Sequence, residues 1–343
     1  MIKSKTVFIV GAGASQEVGL PTGSMLKTQM REKLNIRFEH GYTMNSGDPQ
    51  IENAIRGFIR QETPQDLDIN PYLYAAWKIV DALPQALSID NFLDAHADDK
   101  KIQLCGKLGI IRSILEAERA SDLYIESGQK VNYGKLEGTW YAQFLKLVTE
   151  NVRKSDIESL FENVSFITFN YDRCIEQYLV HALANYYAIP ELESRRLISK
   201  LNVVHPYGQV GNFPFEHQED SVEFGATGRV NILSIASQIK TFTEQEAAAS
   251  KLEHMRRLIR EAGTLVFLGF AFHELNMQLL DPKTETKVKR VFATGKGISE
   301  NDCYVVSDDV RSILHEKTSS SIILNPNLTC HELFGTHWRS LSR

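Results

Sequence analysis

Four apolar residues, Val7 to Val10, run without interruption into Gly11-Ala12-Gly13-Ala14-Ser15, a pattern that predicts a strand buried on both faces and ending in a tight turn. LPTGSMLKTQMREKL then supplies a Pro-Gly turn and a helical period from about Ser24, with Thr22 or Ser24 as the cap. From 45 to 163 the period is mostly helical, in NPYLYAAWKIVDALPQAL, SIDNFLDAHA, IQLCGKLGIIRSILEAERA and TWYAQFLKLVTENVRKS, broken at Pro84, Gly128 and Gly138. Short β-branched or aromatic runs return at 164–170, 201–208, 263–272, 289–297 and 320–327, each stopping at Gly, Asn or Pro. Helical stretches lie between several of them. This alternation predicts an α/β chain: a doubly wound, mostly parallel, Rossmann-like sheet of about six strands with an inserted helical subdomain. The expected division is 1–44 with 164–343 for the sheet domain and 45–163 for the insertion. The acidic, aromatic stretch NFPFEHQEDSVEFG at 212–225 reads as a surface excursion.

Composition narrows the class. With 343 residues, 43% hydrophobic and 24% charged, the chain is long enough to bury a real core. A net charge of −5 offers no global attraction to nucleic acid or an anionic membrane, so no direct nucleic-acid binding is expected. Cys105, Cys174, Cys303 and Cys330 are widely spaced with no CxxC pair, which argues against a zinc ribbon or a disulfide framework and fits a reducing cytoplasm. No apolar run has the length of a membrane span, and the N-terminal run is too short for a signal segment.

In an open parallel sheet, ligands sit at the carboxyl ends of the strands, so the residues just after each apolar run carry the candidate chemistry. Here these are Gly11, Ala12, Gly13, Ala14 and Ser15, then Asn170 and Asp172 in FNYD, His205 in HPYG, Gly269 and Phe270 in LGFAF, and Asn325 in LNPN. Glycines let a backbone approach an anion, and a following helix offers unpaired N–H groups. Gln16 stands where the dinucleotide fingerprint has its third glycine, and no acidic residue ends a second strand some ~20 residues on. Local pattern therefore leaves a general phosphate loop and an NAD-specific one both open. Asn170 and Asp172 also read as helix caps, and His205 as a hydrogen-bonded core histidine. His273-Glu274 and Asp90 read as helix-start residues, and Cys330, His331 and His337 lack zinc-ligand spacing, so no metal is assigned.

The ordered set GAGAS with GLPTG, ITFNYD, HPYG and LVFLGFAFHELN resembles the sirtuin-like NAD-binding family, and more closely its bacterial anti-phage branch, whose members hydrolyse NAD. The resemblance implies that Gly11 to Ser15 hold the dinucleotide phosphates and that Asn170 lies at the nicotinamide ribose. His205 would be the base, with Gly269 and Phe270 near the phosphates and Asn325 on the adenosine side. Pro21 is followed by Thr22-Gly23-Ser24 where the deacylases of that family carry an aromatic-arginine pair, and the four-cysteine zinc module is missing. The implied activity is thus cleavage of NAD to ADP-ribose and nicotinamide as an NAD-depleting effector, not protein deacylation. Relatives imply a homo-oligomer or a regulatory partner, such as a HerA-type ATPase, an Argonaute-type protein or a retron component. A non-catalytic sensor of NAD or an ADP-ribose derivative, and an ADP-ribosyltransferase, are the alternative readings.

Overall fold

The computed structural model describes residues 2–214, 221–228, 230–247, 249–315 and 320–343. Six strands form one all-parallel sheet: β1 (Thr6–Val10), β2 (Val164–Thr168), β3 (Asn202–Val204), β4 (Thr264–Leu268), β5 (Arg290–Thr294) and β6 (Ser321–Asn325), in the order β3-β2-β1-β4-β5-β6. Numbered along the chain this is 3-2-1-4-5-6, the Rossmann-like order, with its topological switch point between β1 and β4. The central strands β1 and β4 are buried at every position, which is why both read as unbroken apolar runs. At the edge, β6 alternates exposed and half-buried residues and reads as a weaker signal.

Register aligns the strand ends. Val10 sits opposite Thr168 and Leu268, and Ile167 opposite Val204. Gly11, Phe169, His205 and Gly269 therefore leave the sheet along a single edge.

The chain divides into two compact units, Met1–Gly19 with Asp122–Pro206 and Ala248–Arg343, and Leu20–Ser121 with Tyr207–Ala247. These bounds differ from the expected split at both ends of the insertion and at Tyr207–Ala247, which groups with the second unit. Helix Trp140–Thr149 lies against helix Cys330–Leu341 and sends Trp140 and Phe144 into the aromatic core of the sheet unit, where Phe8, Phe166 and Phe334 stack. Helix Gly23–Leu34 instead packs on helices Asn70–Ala82 and Lys100–Ala120 in the second unit. That unit is organised around Lys100–Ala120, whose buried Arg112 donates to Asp48 at 2.9 Å while Asp48 caps helix Pro49–Glu62. It also contains an antiparallel hairpin, Arg37–Glu39 with Thr43–Ser46, that the hydrophobic pattern did not predict. Ser88, not Asp90, caps helix Ile89–Ala95.

Part of the expected surface excursion, 215–220, lies outside the described residues. Its flanks are only partly surface: Ser221 and Glu223 are exposed, while Phe213, Val222 and Phe224 are buried, with Val222 N–H on the Asn212 carbonyl. Among the described residues no helix is long and apolar enough to cross a membrane.

Candidate functional site

After β1, Gly11 leads into the short helix Ala12–Ser15 and a 3-10 turn, Gln16–Val18, closed by Gly19 in the left-handed region. The glycines of this turn face another backbone. Gly11 N–H donates to the Leu268 carbonyl at 2.9 Å and Gly13 N–H to the Gly269 carbonyl at 3.0 Å. A Cβ at Gly11 would fall 2.6 Å from the Gly269 oxygen, and one at Gly269, itself at φ +55°, would fall 2.1 Å from the Ala14 nitrogen. The β1 and β4 turns thus interlock, and Gly11, Gly13 and Ala14 direct their N–H groups to carbonyls of the two strand ends. The glycines expected to admit an anion are at least as necessary for letting the two turns touch.

The rest of the β1 turn is pinned from outside. Ala14 O accepts from Trp140 Nε1 at 3.1 Å, and the Glu17 carboxylate accepts the N–H groups of Trp140 (2.7 Å) and His331 (2.9 Å), so that one side chain caps two helices. Burial pushes the Glu17 carboxyl up, against the lowering effect of those N–H donors. Glu17→Ala is expected to cost about 2 kcal/mol, because two first-turn N–H groups lose their acceptor together; urea unfolding measures it.

Ser15, Asn170, Asp172 and His205 meet at this edge, all of them buried. Asn170 Nδ2 donates to the Gly11 carbonyl (3.1 Å) and to Ser15 Oγ (2.9 Å). A carbonyl only accepts, so the amide orientation is settled, and Oδ1 receives no hydrogen bond among the described residues. Asp172 accepts from Cys174 N–H at 3.1 Å, at the start of helix Cys174–Tyr187, and its carboxyl lies beside the Ser15 hydroxyl. His205 Nδ1 is 3.1 Å from the Asn170 carbonyl, and Nε2 is 3.3 Å from Glu176 Oε1. Local pattern did not single out Glu176: an acidic residue in the first turn of a helix reads as dipole compensation.

Burial raises the Asp172 carboxyl above its ordinary value of 3.8, opposed by its hydrogen bonds to Cys174 and Ser15 and by nearby His205. The folded protein therefore holds that proton over a range where the unfolded chain has released it. The resulting stability is fully present below the unfolded value and is lost as pH rises through the folded one. Asp172→Asn keeps an acceptor for Cys174 N–H and removes the titration, so the stability of the parent relative to the variant is expected to fall as pH is raised from 4 to 8, a range of about four units. Unfolding curves of both proteins across that range test this.

Phe270 and Asn325, expected near the phosphates and on the adenosine side, lie apart from this cluster. The Phe270 ring is buried with Phe169, Phe267 and Phe272, at centroid distances of 5.2, 5.6 and 5.1 Å. Asn325 closes its own turn, its Oδ1 accepting from Asn327 N–H at 2.9 Å, and its strand lies three strand spacings from β1, roughly 14 Å. His273 and Glu274 begin helix Glu274–Leu280, with Glu274 exposed. Among the described residues no three His, Cys, Asp or Glu side chains are grouped to hold a metal. All four cysteines are buried as thiols, and burial pushes Cys105 up to about 12.

No protein-family model matches the chain, and no curated protein matches it.

Proposed function

We propose that this chain hydrolyses NAD at the nicotinamide–ribose bond, giving nicotinamide and ADP-ribose, and serves as an NAD-depleting effector in anti-phage defence. One observation carries the reading. Ser15, Asn170, Asp172 and His205, drawn from three distant stretches of chain, form a connected buried cluster at the carboxyl edge, beside the β1–β4 switch point where such sheets bind nucleotides.

The chemistry asks little more. As the C1′–N bond breaks, its electron pair stays on nicotinamide, a neutral leaving group, and positive charge develops on the ribose. Water attacks C1′ and gives up a proton. Asn170, locked through Nδ2, presents Oδ1 to a ribose hydroxyl or to that water, and such fixed orientation is worth several kcal/mol in favourable cases. His205 joins the same cluster through Nδ1 on the Asn170 carbonyl and Nε2 on Glu176, the pair from which the proton transfer is drawn. In this reading NAD is the substrate and no metal takes part. Unrestrained NAD loss would harm the host cell, so the reading includes restraint by a homo-oligomer or a regulatory partner of the HerA, Argonaute or retron type.

The test is nicotinamide release from NAD by purified protein over a range of protein concentrations, alone and in phage-infected cell extract, beside Asn170→Ala and His205→Ala. Release by the parent is expected, with each substitution lowering it by about 10²–10⁴. Tight NAD binding without release in either setting would make the chain a sensor. An ADP-ribosyl adduct detected by mass spectrometry would make it a transferase.

A further inference from the structure

The His205–Glu176 pair has an unusual pattern of open and closed positions. His205 Nδ1 faces a backbone carbonyl, which only accepts, so Nδ1 carries a proton. Nε2 faces Glu176 Oε1, so a second proton lies between them, whichever of the two atoms holds it. Three of the four heteroatoms are therefore engaged. The fourth, Glu176 Oε2, is buried and has no hydrogen-bond partner among the described residues. A buried carboxylate oxygen left without a donor is costly, and such groups persist where a ligand or a reaction completes them.

From this we infer that Glu176 is the general base of the proposed hydrolysis and that His205 is its positioning partner. In the step, the C1′–N bond breaks with its electrons on nicotinamide, the C1′–O bond to water forms, and the water proton goes to Glu176 Oε2. The Nε2–H···Oε1 contact is kept. The pair passes from net neutral, with one shared proton, to net positive: imidazolium beside a carboxylic acid. Release of that proton to solvent resets it. Imidazole alone offers no open nitrogen in this arrangement, since Nδ1 is protonated and Nε2 is covered.

The inference rests on the hydrolase reading, and the experiment separates the two. Glu176→Gln keeps size and hydrogen bonding but removes the base. It is expected to lower kcat for nicotinamide release by about 10²–10⁴ with KM changed less than about threefold. The decisive arm is chemical rescue. Formate is expected to restore release to Glu176→Ala and not to His205→Ala, with circular dichroism showing both variants folded. Restoration of His205→Ala by imidazole, together with no effect of formate on Glu176→Ala, would overturn the inference and return the base to His205 while leaving the hydrolase reading intact. Parental rates in Glu176→Gln would overturn it equally. If the parent releases no nicotinamide under any condition, both readings fall, and the histidine ¹⁵N spectrum then reports on the pair alone: a His205 Nε2 signal that moves in Glu176→Gln shows that the contact is real but serves another purpose.

Discussion

Gly269→Ala is expected to lower the stability of the sheet unit by about 3–5 kcal/mol and its unfolding temperature by roughly 10 °C. Two effects add. A non-glycine residue at φ +55° costs about 1–2 kcal/mol, and the new methyl would lie 2.1 Å from Ala14 N and 2.3 Å from the Gly13 carbonyl carbon. Those atoms are backbone and cannot rotate away. Nor can Gly269 shift easily, since its N–H donates to Thr294 Oγ1 at 2.8 Å while its carbonyl accepts from Gly13. Gly335→Ala is the control: it sits exposed in helix Cys330–Leu341 with nothing within 4 Å of its Cβ direction, and is expected to be neutral or stabilising by up to about 1 kcal/mol. A loss below about 1 kcal/mol at Gly269 in urea unfolding would show that the two turns separate freely.

Trp140→Ala is expected to cost a similar amount, about 3–5 kcal/mol. Trp140 is fully buried, and its ring lies 4.1 Å from Tyr141 and 6.2 Å from Phe334, centroid to centroid. Removing it opens a cavity between helix Trp140–Thr149 and its neighbours. The same change deprives Ala14 O of its indole donor, so it loosens the β1 turn as well as the core. Trp140→Phe keeps one buried aromatic ring while losing the N–H and the pyrrole part of the indole, for an expected cost of about 2–3 kcal/mol. Equal losses in the two variants would show that the remaining phenyl ring contributes nothing, and that the effect lies in the indole N–H and pyrrole half.

The sheet was largely legible because burial on both faces leaves long apolar runs, and because each run stops at a residue that cannot continue a strand. Strands β2 to β6 fall inside their runs, and β1 adds only Thr6 to the four residues that announced it. What local pattern could not carry was pairing across distance. The glycines of GAGAS and LGFAF are each readable as turn residues, but that they lock onto one another is a contact between positions about 256 apart, the gap from Gly13 to Gly269. Glu17 carries no local signal, yet it is the acceptor for two helix starts far along the chain. Glu176 was hidden in the same way. Its meaning comes from His205, on a different strand end. Asn325, at a strand end, accepts the Asn327 N–H and so closes its own turn. The division of the chain departs from the expected one for a related reason, since residues 20–44 and 122–163 take their allegiance from the helices they pack on.

The position of β1 has a consequence for synthesis. It is the first of the sheet's strands in chain order, yet it lies mid-sheet, and its neighbours begin at Val164 and Thr264. From Val10 to Val164 is 154 residues, so at 5–20 residues per second a ribosome takes about 10–30 s to deliver the first partner. Once it has left the ribosome tunnel, an apolar, β-prone segment, TVFIV, waits with both edges open for most of that interval. This chain is therefore expected to lean on a nascent-chain holdase during translation, and its yield in a cell-free system to rise when trigger factor or an Hsp70 is supplied.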